Sequence, residues 1–363
     1  MEYALLAGVL LLAFSNGAND NFKGVATLWG TGRYLYRTVL FWGTLTTFAG
    51  ALAGGLLAGG LVKVFNGSQF LGKAISFDPA FLAAVALGAA ATVLLATRLG
   101  APISTTHALV GSLLGAGLLA VGPDGVKWAA VASAIALPLL VSPLLAMGLT
   151  LTTFPPLAGW LRSRNCICVT EPALVLLPGG EDTATAATGL LPSLRITHGA
   201  DCERGDELTR WNTEELAHWA SAGLISFSRG LNDTPKIAAL ILSAGLLAPT
   251  MNYFLVATAM ALGGLLAAQR VAQTMSREIT WIEPLPGMSA NLVAAVLVGA
   301  ASGWGLPVST THVTTGGIVG LGLRRRAHTN WKLVQQIALS WLVTLPLGLV
   351  CALGFYWLLK TLL

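Results

Sequence analysis

Apolar residues run along this chain in stretches too long for the core of a soluble domain. Ten such elements lie near residues 3–29, 39–62, 80–97, 102–122, 126–153, 214–246, 248–268, 286–303, 307–322 and 332–359. Runs of eighteen or more recur, and about that many helical residues cross a bilayer core of roughly 30 Å at 1.5 Å per residue. The pattern predicts membrane helices. The first fifteen residues carry Glu2 in place of a basic leader and are followed by no small-residue cleavage site, so they read as a membrane helix rather than a removable signal. Between the fifth and sixth elements lies the one long polar stretch, 154–212, with Pro155, Pro156, Gly179, Gly180 and a Thr/Ala-rich run. The expected organisation is a membrane repeat over 1–153, a linker or small subdomain over 154–212, and a second membrane repeat over 213–363.

The two halves repeat one another. Phe14-Ser15-Asn16-Gly17-Ala18-Asn19-Asp20-Asn21-Phe22-Lys23 aligns without gaps on Phe227-Ser228-Arg229-Gly230-Leu231-Asn232-Asp233-Thr234-Pro235-Lys236. Later, Pro102-Ile103-Ser104-Thr105-Thr106-His107 aligns on Pro307-Val308-Ser309-Thr310-Thr311-His312. An odd number of crossings per half inserts the second copy upside down relative to the first. Charge placement agrees: with the N-terminus outside, the cytoplasmic connections hold Arg33, Arg37, Arg98, Arg270, Arg277, Arg324, Arg325, Arg326, Lys332 and the linker. The external side holds only Lys63, Lys73, Lys127 and Lys360. The positive-inside rule then places both termini outside and the linker in the cytoplasm. Inverted repeats are a transporter architecture, with the substrate site expected at the midplane between the halves.

Composition narrows the class. The chain is 55% hydrophobic and 10% charged over 363 residues, against about 25% charged in soluble domains, which excludes an ordinary soluble enzyme. The net charge of +5 is scattered between apolar spans, so it points to membrane topology and not to a nucleic-acid partner. The partner implied is the lipid bilayer.

The chemistry lies in polar groups held at membrane depth. Asn19, Asp20 and Lys23 beside Gly17 and Gly24, and Asn232, Asp233 and Lys236 beside Gly230, interrupt otherwise apolar segments. A charge there costs a few kcal/mol, so such groups usually line a pathway. The glycines favour a broken helix, tolerated at that depth where it lines a cavity. The plainer reading is a structural i,i+3 bridge in each half, Asp20 with Lys23 and Asp233 with Lys236. In the second motif, Pro102 and Pro307 suit the first turn of a helix. The hydroxyls Ser104, Thr105, Thr106, Ser309, Thr310 and Thr311 then sit at helix N-termini, ready-made sites for a tetrahedral oxyanion. Ordinary N-capping is the plainer reading here. His107 and His312 read as hydrogen-bonded structural residues, with proton carriage as the alternative.

These duplicated motifs, Gly-Ala-Asn-Asp and Gly-Leu-Asn-Asp with Pro-Ile/Val-Ser-Thr-Thr-His, resemble those of the inorganic phosphate transporter family across both membrane halves. The resemblance implies phosphate as substrate, coupling to sodium in some members and protons in others, and homodimers. It implies that the Ser-Thr-Thr-His segments lie on re-entrant hairpins, and it points to Asp20, Asp233 and the six hydroxyls as binding positions. The fold class expected is an all-α membrane protein of two inverted five-element repeats, with broken helices and re-entrant hairpins, multi-pass in the inner (plasma) membrane.

The sequence departs from the family pattern at one informative place. The family continues its first motif with Val-Ala-Asn, whereas lysine stands at that last position in both halves, and Arg229 occupies the place of Asn16. An asparagine carbonyl can ligate a hard cation; an ammonium has three donors and no acceptor. Lys23 and Lys236 are therefore expected to replace coupling sodium, giving proton-coupled, sodium-independent uptake. Lys23, Lys236 and Arg229 against Asp20 and Asp233 leave one net positive charge, suited to an oxyanion. The alternatives are a permease for sulfate or another oxyanion, and a sodium-coupled symporter. A different class is an intramembrane hydrolase using Ser104, His107 and Asp20, which duplication disfavours. No cofactor is expected, and Cys166, Cys168, His198 and Cys202 form a candidate zinc set in the linker, with free thiols the plainer reading. The linker itself reads as a β-rich subdomain or as disorder.

Overall fold

The structure, a computed structural model, describes residues 1–72, 75, 78–162, 166–170, 174–177, 185–188, 193–197, 207–324 and 329–362. Among the described residues ten long helices form two sets of five. The first set is α1 (Glu2–Asp20), α2 (Tyr36–Leu57), α3 (Pro79–Arg98), α4 (Thr105–Val121) and α5 (Trp128–Leu161). The second is α6 (Thr213–Ala244), α7 (Pro249–Ala267), α8 (Pro284–Gly303), α9 (Thr310–Arg324) and α10 (Trp331–Leu362). Local chemistry sets several ends. Asp78 caps α3 by accepting from Ala80 N at 2.9 Å, with Pro79 at the first position, where its missing N–H costs nothing. Asn212 caps α6, whose first turn carries Glu214 and Glu215 against the positive helix end.

Six helices, α2, α3, α5, α7, α8 and α10, are long and apolar enough to cross a membrane. Leu140 and Leu144 on α5 and Leu342 and Trp357 on α10 are more than half exposed. A soluble monomer rarely shows so large an apolar belt, and the chain is a multi-pass membrane protein. Inside the belt run α1 and α6, which carry the charged motifs.

The helices pair crosswise. α1 packs on α3 of its own half and on α7 of the other, while α6 packs on α8 and on α2. Likewise α4 lies on α10 and α9 on α5. Glycines set the closeness of the crossings. A Cβ on Gly17 would fall 1.9 Å from Met260 O, and one on Gly263 1.9 Å from Phe14 O. On the other crossing, Gly230 faces Thr47 O at 2.1 Å and Gly50 faces Phe227 O at 1.9 Å by the same measure.

Those contacts correct the expectation of a break for two of the three motif glycines: Gly17 and Gly230 are both helical and serve packing, whereas Gly24 lies in the break. The first half does break, but after Asp20, passing through a 3₁₀ turn at Lys23–Val25 to a short helix at Ala26–Gly30. The second half runs unbroken through Pro235, with Gly54 of α2 against the proline ring and the Leu231 carbonyl that lost its helix donor. Pro102 and Pro307 also differ from expectation. Both precede the helix, and Ser104 and Ser309 hold the capping position instead, each accepting from the backbone N–H of the following histidine at 3.2 Å. The last helix of the first half, α5, continues through Pro155 and Pro156.

In the linker, β1 (Cys166–Thr170), β2 (Leu174–Leu177), β3 (Thr185–Thr188), β4 (Ser193–Thr197) and β5 (Glu207–Asn212) form two antiparallel sheets, β4-β1-β5 and β2-β3. The β-rich reading thus describes these segments. Of the candidate zinc set, Cys166 is disulfide-bonded, which corrects both the zinc and the free-thiol reading for that residue, since a disulfide sulfur has no thiolate to offer a metal; His198, Cys202 and the side chain of Cys168 lie outside the described residues.

Candidate functional site

Lys23, just past the end of α1, and Lys236, within the unbroken α6, both meet the capped starts of α4 and α9. Asn16, Asn19, Asp20, Lys23, Arg229, Asn232, Asp233 and Lys236 are all buried, as are the six motif hydroxyls.

Each ammonium sits in a cage of oxygens. Lys23 Nζ donates to Asn19 Oδ1 at 2.9 Å, to the Ile103 carbonyl at 2.7 Å and to Thr311 Oγ1 at 2.6 Å, and it pairs with Asp20 Oδ1. Lys236 Nζ donates to the Val308 carbonyl at 2.7 Å, to Thr106 Oγ1 at 2.8 Å and to Asp233 Oδ1 at 3.4 Å. The two cages correspond: each lysine takes a carbonyl from its own half and a threonine from the other. The i,i+3 bridges weighed from sequence are therefore present as parts of these cages.

Between the cages Asn16 joins the carboxylates. Its Nδ2 donates to Asp20 Oδ2 at 2.9 Å, to Thr105 Oγ1 at 3.1 Å and to Asp233 Oδ2 at 3.4 Å. Thr105 adds its own donation to Asp20 Oδ2 at 2.9 Å. Arg229, which aligns with Asn16, also meets it, donating to Asn16 Oδ1 at 2.7 Å, to Asn21 Oδ1 at 3.2 Å and to Thr47 Oγ1 at 3.3 Å. Its Nε stays 3.7 Å from Asp233 Oδ2. Three cations thus face two carboxylates away from water. An unpaired charge buried like this would cost several kcal/mol, and pairing with added hydrogen bonds offsets that.

Asn19 and Asn232 brace the cages. Asn19 Oδ1 accepts from Ile103 N at 3.2 Å and its Nδ2 donates to the Ala101 carbonyl at 3.0 Å. Asn232 donates to the Val308 carbonyl at 3.2 Å and accepts from Ser302 at 3.1 Å. Ser104 and Ser309 act through their caps, and Thr310 lies buried in the first turn of α9. Asn16, Asn21, Thr47 and Ser302 were not singled out from sequence. Asn16 carried a signal, since it is the aligned partner of Arg229; the others are isolated polar residues in apolar helices.

The remaining motif residues pack. The rings of His107 and His312 meet edge to face at 4.6 Å, and His312 stacks on Trp341 at 3.9 Å with Nδ1 beside the Leu139 carbonyl at 3.2 Å. The contacts of a hydrolase triad are not assembled among the described residues. Ser104 Oγ meets the backbone of His107 and not its ring, His107 Nδ1 makes no hydrogen bond, and Asp20 is taken by Lys23, Asn16 and Thr105.

The chain has known relatives. A family model described as the phosphate transporter family matches residues 16–352. A probable low-affinity inorganic phosphate transporter of Rhizobium meliloti (strain 1021) is 28% identical, covering 98% of this chain and 97% of its own length. The chloroplastic inorganic phosphate transporter 2-1 of Arabidopsis thaliana is 26% identical, over 99% of this chain and 72% of its own. A solved structure titled the sodium-dependent phosphate transporter superposes with a TM-score of 0.75 over 100% of both chains at 22% identity, a likeness of fold.

Proposed function

Because the chain belongs to the phosphate transporter family, we propose that it carries inorganic phosphate through the central cluster in symport with protons and without sodium. The observation that carries this reading is the pair of ammonium groups inside oxygen cages. An amide oxygen, a carboxylate, a backbone carbonyl and a threonine hydroxyl around Lys23 Nζ are the ligands a hard cation would choose. Here a tethered cation fills that place permanently. The solved neighbour is sodium-dependent by its title, and lysine at both positions is the feature that argues for a different coupling ion in this chain.

The same contacts suggest how a proton couples to the anion. Asp20 and Asp233 pair with Lys23, Lys236 and Arg229. Protonating a carboxyl weakens its hold on those cations and frees donors for an oxyanion. One proton with one doubly charged phosphate brings three cations and two carboxylates to neutrality, so the pair enters the low-dielectric centre more cheaply than either alone.

Two further parts of the reading concern architecture. The gapless motif alignment and the crosswise pairing of helices, in which α1 on α7 answers α6 on α2, support inverted repeats of five elements with the capped ends of α4 and α9 as opposed hairpin tips. For orientation, Arg33 pairs with Glu215 beside the linker at 2.8 Å, and Arg270 donates to the Arg98 carbonyl. This gathering of basic connections supports a cytoplasmic linker. Lys360 pairs with Asp78 at 3.1 Å on connections assigned to the other face.

The test is uptake of labelled phosphate into proteoliposomes of the purified chain, driven by an acid-outside pH gradient, with choline replacing sodium and with sulfate as competitor. Uptake unchanged in choline, raised by the gradient and little affected by sulfate is expected. Strict sodium dependence would refute the coupling, and equal competition by sulfate would refute the substrate.

A further inference from the structure

The central cluster is nearly symmetric between the halves, but its surroundings are not. Along one stripe of α6, at spacings of eight, three, four and three residues, lie His218, Ser226, Arg229, Asp233 and Lys236. Three of these are buried with a polar atom that makes no hydrogen bond within the protein: His218 Nδ1, Ser226 Oγ and Arg229 Nε. The stripe starts at the linker end of α6 and reaches the cluster eleven residues later, about 16 Å at 1.5 Å per residue. Buried polar groups are nearly always satisfied, by ordered water where no protein group serves. Three orphans in one row are three places where water would complete the hydrogen bonding.

The outer end of that line is built from three polar side chains. His218 Nε2 lies 2.9 Å from Thr27 Oγ1, and Asn291 Nδ2 donates to the same hydroxyl at 2.8 Å. If the imidazole N–H is on Nε2, Nδ1 is a bare acceptor; if it is on Nδ1, a bare donor. One helical turn beyond Thr27, Gly30 lines a cavity of about 520 Å³ with Ser276, Arg277, Glu278 and Trp281. On the opposite side of the cluster the aligned positions are apolar. Leu5 aligns with His218, Ala13 with Ser226, Leu240 with Thr27 and Ala86 with Asn291, and all four are fully buried.

We propose that α6 carries a water-lined proton path between the central cluster and the linker face, with His218 exchanging the proton at its outer end. A proton leaving Asp20 or Asp233 after phosphate release passes along the water line to His218 and on through Thr27 Oγ1, its partner at 2.9 Å, to water at the linker face. The step moves one proton and leaves every residue as it began. Most of the charged groups around His218 have partners of their own. Arg33, which acts on it electrostatically, pairs with Glu215 at 2.8 Å; Lys23, on the segment leading to Thr27, pairs with Asp20; Arg277 stacks over Trp29 at 4.0 Å. Glu214 opens α6, Glu278 lines the cavity, Glu283 before α8 has its own partner, and Tyr34 packs on Trp219 at 5.0 Å.

This inference rests on proton coupling, and the experiment separates the two. In proteoliposomes of the full chain, an acid-outside gradient should drive phosphate uptake by wild type and at least tenfold less by His218→Gln. Phosphate counterflow without a gradient, which needs no net proton release, should stay within twofold of wild type. Absence of gradient-driven uptake in the wild type would defeat the coupling itself. A coupled wild type with an equally coupled His218→Gln, or equal loss of counterflow, would defeat the path alone. Small substitutions give an independent reading: Ser226→Cys should react with a charged thiol reagent at least tenfold faster than Ala13→Cys in a background with all four native cysteines replaced by alanine. Equal reactivity at the two aligned positions would overturn the one-sided path.

Discussion

If Lys23 stands where a coupling cation would bind, replacing it by asparagine should give the site back to sodium. The ammonium of Lys23 holds Asp20, Asn19, Ile103 and Thr311. Removing one partner of a buried ion pair costs about 3–5 kcal/mol, because the other charge stays behind. Asp20 keeps only Asn16 and Thr105 as donors. Lys23→Asn in choline should therefore unfold at a clearly lower temperature than wild type. Sodium then adds RT ln(1 + [Na⁺]/Kd), about 2.7 kcal/mol at a hundred times Kd, enough to recover most of the loss. Lys23→Met removes the same charge but offers no oxygen, so it should be destabilised without recovery. The assay is thermal unfolding of the detergent-solubilised protein across a sodium titration, paired with labelled phosphate uptake, which should become sodium-stimulated in Lys23→Asn only. If the two variants respond to sodium alike, the oxygen cage is not a cation site and the reasoning fails.

Two other substitutions probe different parts of the structure. Gly17→Ala would set a methyl group 1.9 Å from Met260 O and should cost at least about 1–3 kcal/mol by overpacking, read as loss of monodisperse protein, whereas Gly354→Ala meets open space and should be neutral or stabilise by up to about 1 kcal/mol. Arg229→Gln lowers the cluster from one net positive charge to none and breaks the 2.7 Å bond to Asn16; phosphate affinity, measured by the concentration dependence of uptake, should fall about tenfold or more, as expected for a charged hydrogen bond worth roughly 1.5–3 kcal/mol, and an unchanged affinity would remove Arg229 from the site.

Much of this centre was readable before any coordinates. Asp20, Lys23, Asp233 and Lys236 stand out because charge inside an apolar run is costly and must be answered by something. Their repetition told which residues belong together. What the pattern did not show was how contacts are shared between halves: nothing in the spacing says that Lys23 takes Thr311 and not Thr106. Thr47 and Asn21 gave no signal, since threonine in a helix commonly bonds back to its own turn, as Thr44 does to the Leu40 carbonyl at 2.7 Å. The helix ends misled for a related reason. Pro155 is a local breaker and the apolar run stops just before it, yet the helix continues through it, while the break after Asp20 carries only Gly24 as a local signal, a residue that also stands in many unbroken helices of this chain.

The crosswise pairing of α1 with α7 has a consequence for biosynthesis. The ribosome delivers Asn16, Asp20 and Lys23 roughly 240 residues before Met260, which at about 5–20 residues per second is a wait of some ten to fifty seconds. During that interval the nascent first span must stay in or beside the bilayer with its polar groups unanswered by the second half. Because Asp20 and Lys23 are only one turn apart, the segment brings its own counter-ion and can be inserted as a neutral piece before its final neighbours are made.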